Sequence, residues 1–118
     1  DVDSHQDLPH MIRTYLNEHY MQELQQTDVA AVFHMSGPYF SQYFKQSFGV
    51  NYVQYLNSLR IEKAKLLLVT TQNSTESIGA LVGIPNVNYF FRLFKKTEGC
   101  TIREYRKRHT ESKKVHKS

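Results

Sequence analysis

Tryptophan is absent from this 118-residue chain, and cysteine occurs once, at Cys100. A lone cysteine cannot close an internal disulfide, so a reducing compartment is expected, here a cytoplasm. Proline is scarce at three residues and glycine at five, and neither forms a run, so no flexible linker between domains is visible. No apolar stretch approaches the ~20 residues that a membrane span requires, and neither a membrane partner nor a signal peptide is expected. The six histidines (His5, His10, His19, His34, His109, His116) show no metal-ligand spacing. Paired catalytic carboxylates, a glycine-rich phosphate loop and a nucleophile elbow are also missing, so no enzyme, metal or cofactor is expected. The chain starts at Asp1 rather than Met, as a fragment or processed chain would.

What is present is a core-forming composition with an uneven charge. Hydrophobic residues make up 40% of the chain and aromatics 13%, enough for one compact unit or two small lobes sharing a helix. The net charge of +4 hides an asymmetry. Residues 1–50 carry two cations, Arg13 and Lys45, against six acids, whereas residues 51–118 carry thirteen against five. A basic second half suits a polyanionic partner, although basic faces are often merely solvated.

The chain writes one pattern twice. Tyr39-Phe40-Ser41-Gln42-Tyr43-Phe44-Lys45, with Gly49 and Tyr55 beyond it, returns fifty positions later as Tyr89-Phe90-Phe91-Arg92-Leu93-Phe94-Lys95, with Gly99 and Tyr105. The four-residue spacing of Phe40 with Phe44, and of Phe90 with Phe94, puts each pair on one helical face. Gly49 and Gly99 then fall where a helix takes a left-handed C-terminal residue. Short apolar segments precede both copies, Val29–Phe33 and Ile78–Val82. Each half therefore reads as a short helix, a tight connection and a second helix, which is a helix-turn-helix written twice. Paired helical hairpins also build protein-interaction modules, so the repeat alone leaves both functions open.

Taken in order, residues 1–8 read as a disordered start and 9–50 as a first helix-turn-helix subdomain. Residues 51–70 read as a long linker helix, 71–108 as a second subdomain and 109–118 as a disordered basic tail. The fold class is all-α, with about seven helices. Pro9 can open the first helix, which is expected to reach about residue 22. Thr27 or Asp28 is expected to cap the second helix, Ser36 the third, and Ser74 or Thr75 the fifth, while Pro85 and Asn86 open the sixth. Phe40, Phe44 and Tyr43 are expected inward, as are Phe90, Leu93 and Phe94. The long helix is apolar on most sides, with Lys65 expected at an exposed position.

The second copy, Ile78-Gly79, Gly83-Ile84, Asn88–Lys96, Gly99 and Glu104-Tyr105-Arg106, resembles the DNA-binding domain of the AraC/XylS family of bacterial transcription regulators. The stretch Arg60–Leu67 of the long helix is similar to that family too, and the resemblance covers about residues 9–108. The family usually places Ala at Gly79, Phe at Ile84, Asp at Asn86, Ser at Asn88 and Pro at Ile102. A glycine inside a helix costs about 1 kcal/mol relative to alanine. The resemblance implies two recognition helices entering successive major grooves of double-stranded DNA, in an activator more often than a repressor. By position, it makes Pro38, Ser41 and Gln42, with Val87, Asn88, Phe91 and Arg92, the candidates for base contact. Arg suits guanine, Asn and Gln suit adenine, and an outward Phe91 suits thymine methyl groups. Ser36, Lys45, Asn86, Lys95 and Lys96 are the candidates for phosphate contact, which positions a protein without reading sequence. For each of these residues the plainer reading is a solvated helix surface, and Lys45 or Lys95 could instead pair with acids on neighbouring helices. The family also implies RNA polymerase as a candidate partner, and an effector or dimerisation domain upstream of residue 1. A helical interaction module docking to RNA polymerase is the alternative function.

Overall fold

The computed structural model describes the backbone of residues 7–117 and the side chains of residues 7–110; all of the expected disordered start except Asp7 and Leu8 lies outside them. Among the described residues there are seven helices and no strand: α1 Leu8–His19, α2 Gln26–Val32, α3 Gly37–Phe48, α4 Tyr52–Thr70, α5 Thr75–Leu81, α6 Val87–Glu98 and α7 Ile102–Lys117. The chain divides into two compact units, Asp1–Leu59 and Arg60–Ser118, so that α4 contributes to both. The uneven charge follows the same division, because residues 51–59 carry none.

The first unit packs α1, α2, α3 and the start of α4 around Ile12, Leu16, Val29, Ala30, Phe40, Phe44, Tyr52 and Leu56. Phe44 meets Tyr52 and Tyr55 edge to face, at 5.7 and 5.4 Å between ring centroids, and stacks on Phe48 at 4.1 Å. The Tyr52 hydroxyl donates to the Leu24 carbonyl at 3.0 Å, which satisfies the one polar atom of a buried ring.

The second unit repeats the plan. Ile61, Ala64 and Leu68 of α4, Ile78 of α5 and Val82 at its end, Ile84 in the turn, Phe90 and Phe94 of α6, and Ile102 of α7 are buried. Phe94 meets Tyr105 edge to face at 5.5 Å, the counterpart of Phe44 against Tyr55. The Arg106 guanidinium donates to the Thr71 carbonyl at 2.7 Å and ties α7 to the end of α4.

The turn within each unit is built alike. Met35 N–H donates to the Ala30 carbonyl at 2.9 Å, and Ile84 N–H donates to the Gly79 carbonyl at 2.7 Å. Between those residues the chain passes through a left-handed position, taken by Gly83 at φ 92° in one unit and by His34 at φ 60° in the other. His34 is the one described non-glycine residue with positive φ, a conformation that crowds Cβ against the following carbonyl.

Several sequence expectations need correction. Helix α1 stops at His19, not near residue 22, with Tyr20 closing it. Neither Thr27 nor Asp28 caps α2. Gln25 holds the cap position and its carbonyl accepts from Asp28 and Val29, so Thr27 and Asp28 lie in the first turn. Asp28 there still opposes the positive helix end favourably. Tyr43 is only half-buried and stacks on the exposed Tyr39 at 6.4 Å, and Leu93 is half-buried too. Val53 and Leu66 leave part of α4 exposed, so its apolar wrap is incomplete. Helix α7 does not end at Arg108 but continues to Lys117 through most of the expected tail. That segment holds no Pro or Gly and many good helix formers.

Candidate nucleic-acid interface

Each candidate recognition helix is fixed by the same three devices. Ser36 caps α3, its Oγ accepting from Tyr39 N–H at 3.3 Å, and Asn86 caps α6, its Oδ1 accepting from Tyr89 N–H at 3.0 Å. Two phenylalanines per helix, Phe40 with Phe44 and Phe90 with Phe94, are fully buried and set its rotation. Gly49 and Gly99, both at φ 78°, end the helices, their N–H groups donating to the Lys45 and Lys95 carbonyls. The expected C-terminal glycines and the Ser36 cap are therefore in place.

The next helix in each unit opens on a reciprocal pair that sequence reading missed. Asn51 Oδ1 accepts from Gln54 N–H at 2.8 Å while Gln54 Oε1 accepts from Asn51 N–H at 3.2 Å. Thr101 and Glu104 do the same at 3.1 and 2.8 Å. The spacing of a polar cap with Gln or Glu three residues on was the available signal. The Thr101 N–H, aided by the Thr101 hydroxyl and by the charges of Arg108 and Lys95, holds the Glu104 carboxyl below its ordinary range.

On α3 of the first unit, Pro38, Ser41 and Gln42 are all exposed, as is Lys45 one turn further on. On α6 of the second unit, Asn88, Phe91 and Arg92 are exposed and Val87 is half-buried. Phe91 leaves 45% of its surface in solvent, against none for Phe90 beside it. Lys95 and Lys96 are exposed on the last turn. Among the described residues, Lys45, Lys95 and Lys96 form no ion pair within 4 Å, so the alternative of pairing with neighbouring acids is not realised. Ser36 and Asn86 spend an oxygen on capping, yet the Ser36 hydroxyl proton and the Asn86 amide hydrogens remain donors for an anion. Helix α7 adds the exposed cations Arg103 and Lys107 beside α6, which sequence reading did not single out.

One lysine expected to be exposed is engaged. Lys65 Nζ lies 3.0 Å from Glu98 Oε1 and 3.2 Å from Glu62 Oε1, with 23% of its side chain exposed. The Glu98 hydrogen bond chiefly holds the Lys65 ammonium above its ordinary pKa, against a smaller opposing effect of burial. The pair ties the last turn of α6 to α4 within the second unit.

Among the described residues no helix is long and apolar enough to cross a membrane, and no His, Cys, Asp and Glu cluster could hold a metal ion. Residues 29–108 match the family model described as a helix-turn-helix domain. The HTH-type transcriptional regulator YisR of Bacillus subtilis is 38% identical over 93 residues, covering 79% of this chain and 32% of that protein. The chain spans about a third of the length of such curated relatives. Among solved structures, the C-terminal domain of the two-component response regulator yesN from Fusobacterium nucleatum is 35% identical, with a TM-score of 0.82 over 85% of this chain and 98% of that one. The DNA-binding domain of AdpA, solved with a target DNA, shares the fold at a TM-score of 0.83 and 22% identity, over 86% of this chain and 92% of that one. With 80 of its 118 residues inside the matched model, the chain belongs to the AraC/XylS family of helix-turn-helix transcription regulators.

Proposed function

We propose that this chain binds double-stranded DNA sequence-specifically through α3 and α6, each reading a major groove, as part of a bacterial transcription activator working in the cytoplasm. The carrying observation is the repeated helix face. In both units an oxygen-capped helix, held by two buried phenylalanines, exposes polar and charged side chains that form no ion pair among the described residues. Gln42 and Asn88 offer the donor and acceptor pair that suits adenine, Arg92 offers the fork that suits guanine, and Phe91 offers an apolar face to thymine methyls. Pro38, Ser41 and Val87 complete the base-facing set by position. Ser36, Lys45, Asn86, Lys95 and Lys96 hold the phosphates on either side. Within this reading RNA polymerase is a second partner, and signal reception belongs to a further domain, as the greater length of the relatives supports.

Gel retardation with genomic fragments tests the reading, and sequence-dependent retardation is the expected result. Wild-type affinity should fall steeply with salt. The Lys95→Ala, Lys96→Ala double variant should flatten the log–log slope by ~0.9 for each phosphate it no longer neutralises. Retardation without sequence preference, or none at all, would leave a protein-interaction module as the function.

A further inference from the structure

The second unit carries a groove of about 960 Å³ between the exposed side of α6 and the flank of α7, lined also by Thr75. That volume lies at the upper end of the ~300–1,000 Å³ range of small-molecule sites. Its walls are Phe91, Ile102 and the aliphatic stems of Arg92, Lys95, Arg103 and Lys107. Arg106 also lines it, with its guanidinium anchored on the Thr71 carbonyl and so held in one place. Among the described residues no carboxylate lines the groove, and Glu104, bonded to the Thr101 N–H, is the acid beside it. Five cations around an apolar wall give the groove a net positive field that attracts an anion.

We propose that this groove binds a small amphipathic organic anion, a flat apolar body bearing a carboxylate, sulfonate or phosphate, and that the occupied groove is closed to DNA. The second clause rests on the DNA-binding reading above, because Phe91 and Arg92 belong to both surfaces. The apolar body lies against Phe91 and covers a ring otherwise half in solvent. The anionic head takes the planar guanidinium of Arg103, with the Lys107 ammonium beside it. A phosphodiester backbone satisfies the charges but leaves the Phe91 ring to the bases, whereas one amphipathic ligand engages both at once.

The test uses the 118-residue chain and the probe 8-anilino-1-naphthalenesulfonate, a flat aromatic anion whose fluorescence rises when it leaves water. Saturable binding of one probe per chain is expected. The Arg103→Ala, Lys107→Ala double variant, with helical content checked by circular dichroism, should bind at least about tenfold more weakly, as expected when a charged head loses its hydrogen-bond donors. Arg13→Ala, which removes a cation from the first unit, should leave probe affinity unchanged. A retarded duplex should displace the probe. Non-saturable fluorescence, equal affinity in the folded double variant, or simultaneous binding of probe and duplex overturns the proposal. Should the wild type retard no duplex, the DNA-binding reading fails on its own, and the saturation and variant arms still decide the groove.

Discussion

Replacing Gly79 by alanine sets two opposing effects against each other at one buried point. Helix propensity favours alanine by about 1 kcal/mol in a helix interior. The structure opposes it. A Cβ added at Gly79 would stand 2.8 Å from the Ile84 carbonyl oxygen and 2.9 Å from Phe90 Cδ2. The first is backbone, held in the turn whose Ile84 N–H bonds the Gly79 carbonyl at 2.7 Å. The second belongs to a fully buried ring at the base of the candidate recognition helix. Neither neighbour is the loose end of a flexible side chain, so α5 and α6 must separate. Overpacking of this kind costs ~1–3 kcal/mol, and because the structural term includes strained backbone, it should exceed the propensity gain. The expected net effect of Gly79→Ala is a loss of about 1 kcal/mol, read as a lower urea midpoint with an unchanged slope. The counterpart Ala30→Gly, where the first unit already accommodates a buried Cβ, should lose about 1 kcal/mol or more from propensity and poorer packing. A rise in stability for Gly79→Ala would refute the close approach of α5 to the turn and leave helix propensity as the governing term.

Three further outcomes follow from particular interactions. A double-mutant cycle on Lys65→Ala and Glu98→Ala should give a coupling of ~0.5–1 kcal/mol, discounted for partial exposure and shrinking with salt. Because Lys65 is held above its ordinary 10.5, this contribution is complete below pH 10.5 and is lost as the pH rises through the higher folded value, which pH-dependent unfolding checks. His34→Gly should raise the thermal midpoint, by up to about 1 kcal/mol in stability, since it relieves a left-handed residue at the price of some unfolded-state entropy. Arg92→Ala and Gln42→Ala should each relax base preference at separate positions of the site, at ~1–3 kcal/mol apiece in selection experiments, and overlapping positions would mean that one helix alone reads bases.

The architecture was legible because its signals are local. Two phenylalanines four apart place a buried stripe whatever the helix packs against, and glycine ends a helix through its own backbone freedom, so α3 and α6 with their Gly49 and Gly99 ends could be read directly. The exposed residues of those helices followed from the same periodicity, as the complement of the buried stripe. Boundaries depended on more than pattern. Thr27 and Asp28 have cap chemistry, yet the carbonyl of Gln25 already closes the first turn of α2. Helix α7 outran its expected end because charge at a terminus implies exposure and says nothing against helix formation. Lys65 looked exposed on α4 alone, and only the return of α6 brings Glu98 to its ammonium. The groove beside α6 is likewise formed by residues up to thirty-five positions apart, from Thr75 to Thr110. Sequence by itself determined the two-fold repeat, the all-α class and the exposed faces of α3 and α6, since these depend on spacings within single helices. Tertiary structure decided why Gly79 is glycine, what Lys65 holds and where five cations converge, because each depends on the distance between helices that no local pattern encodes.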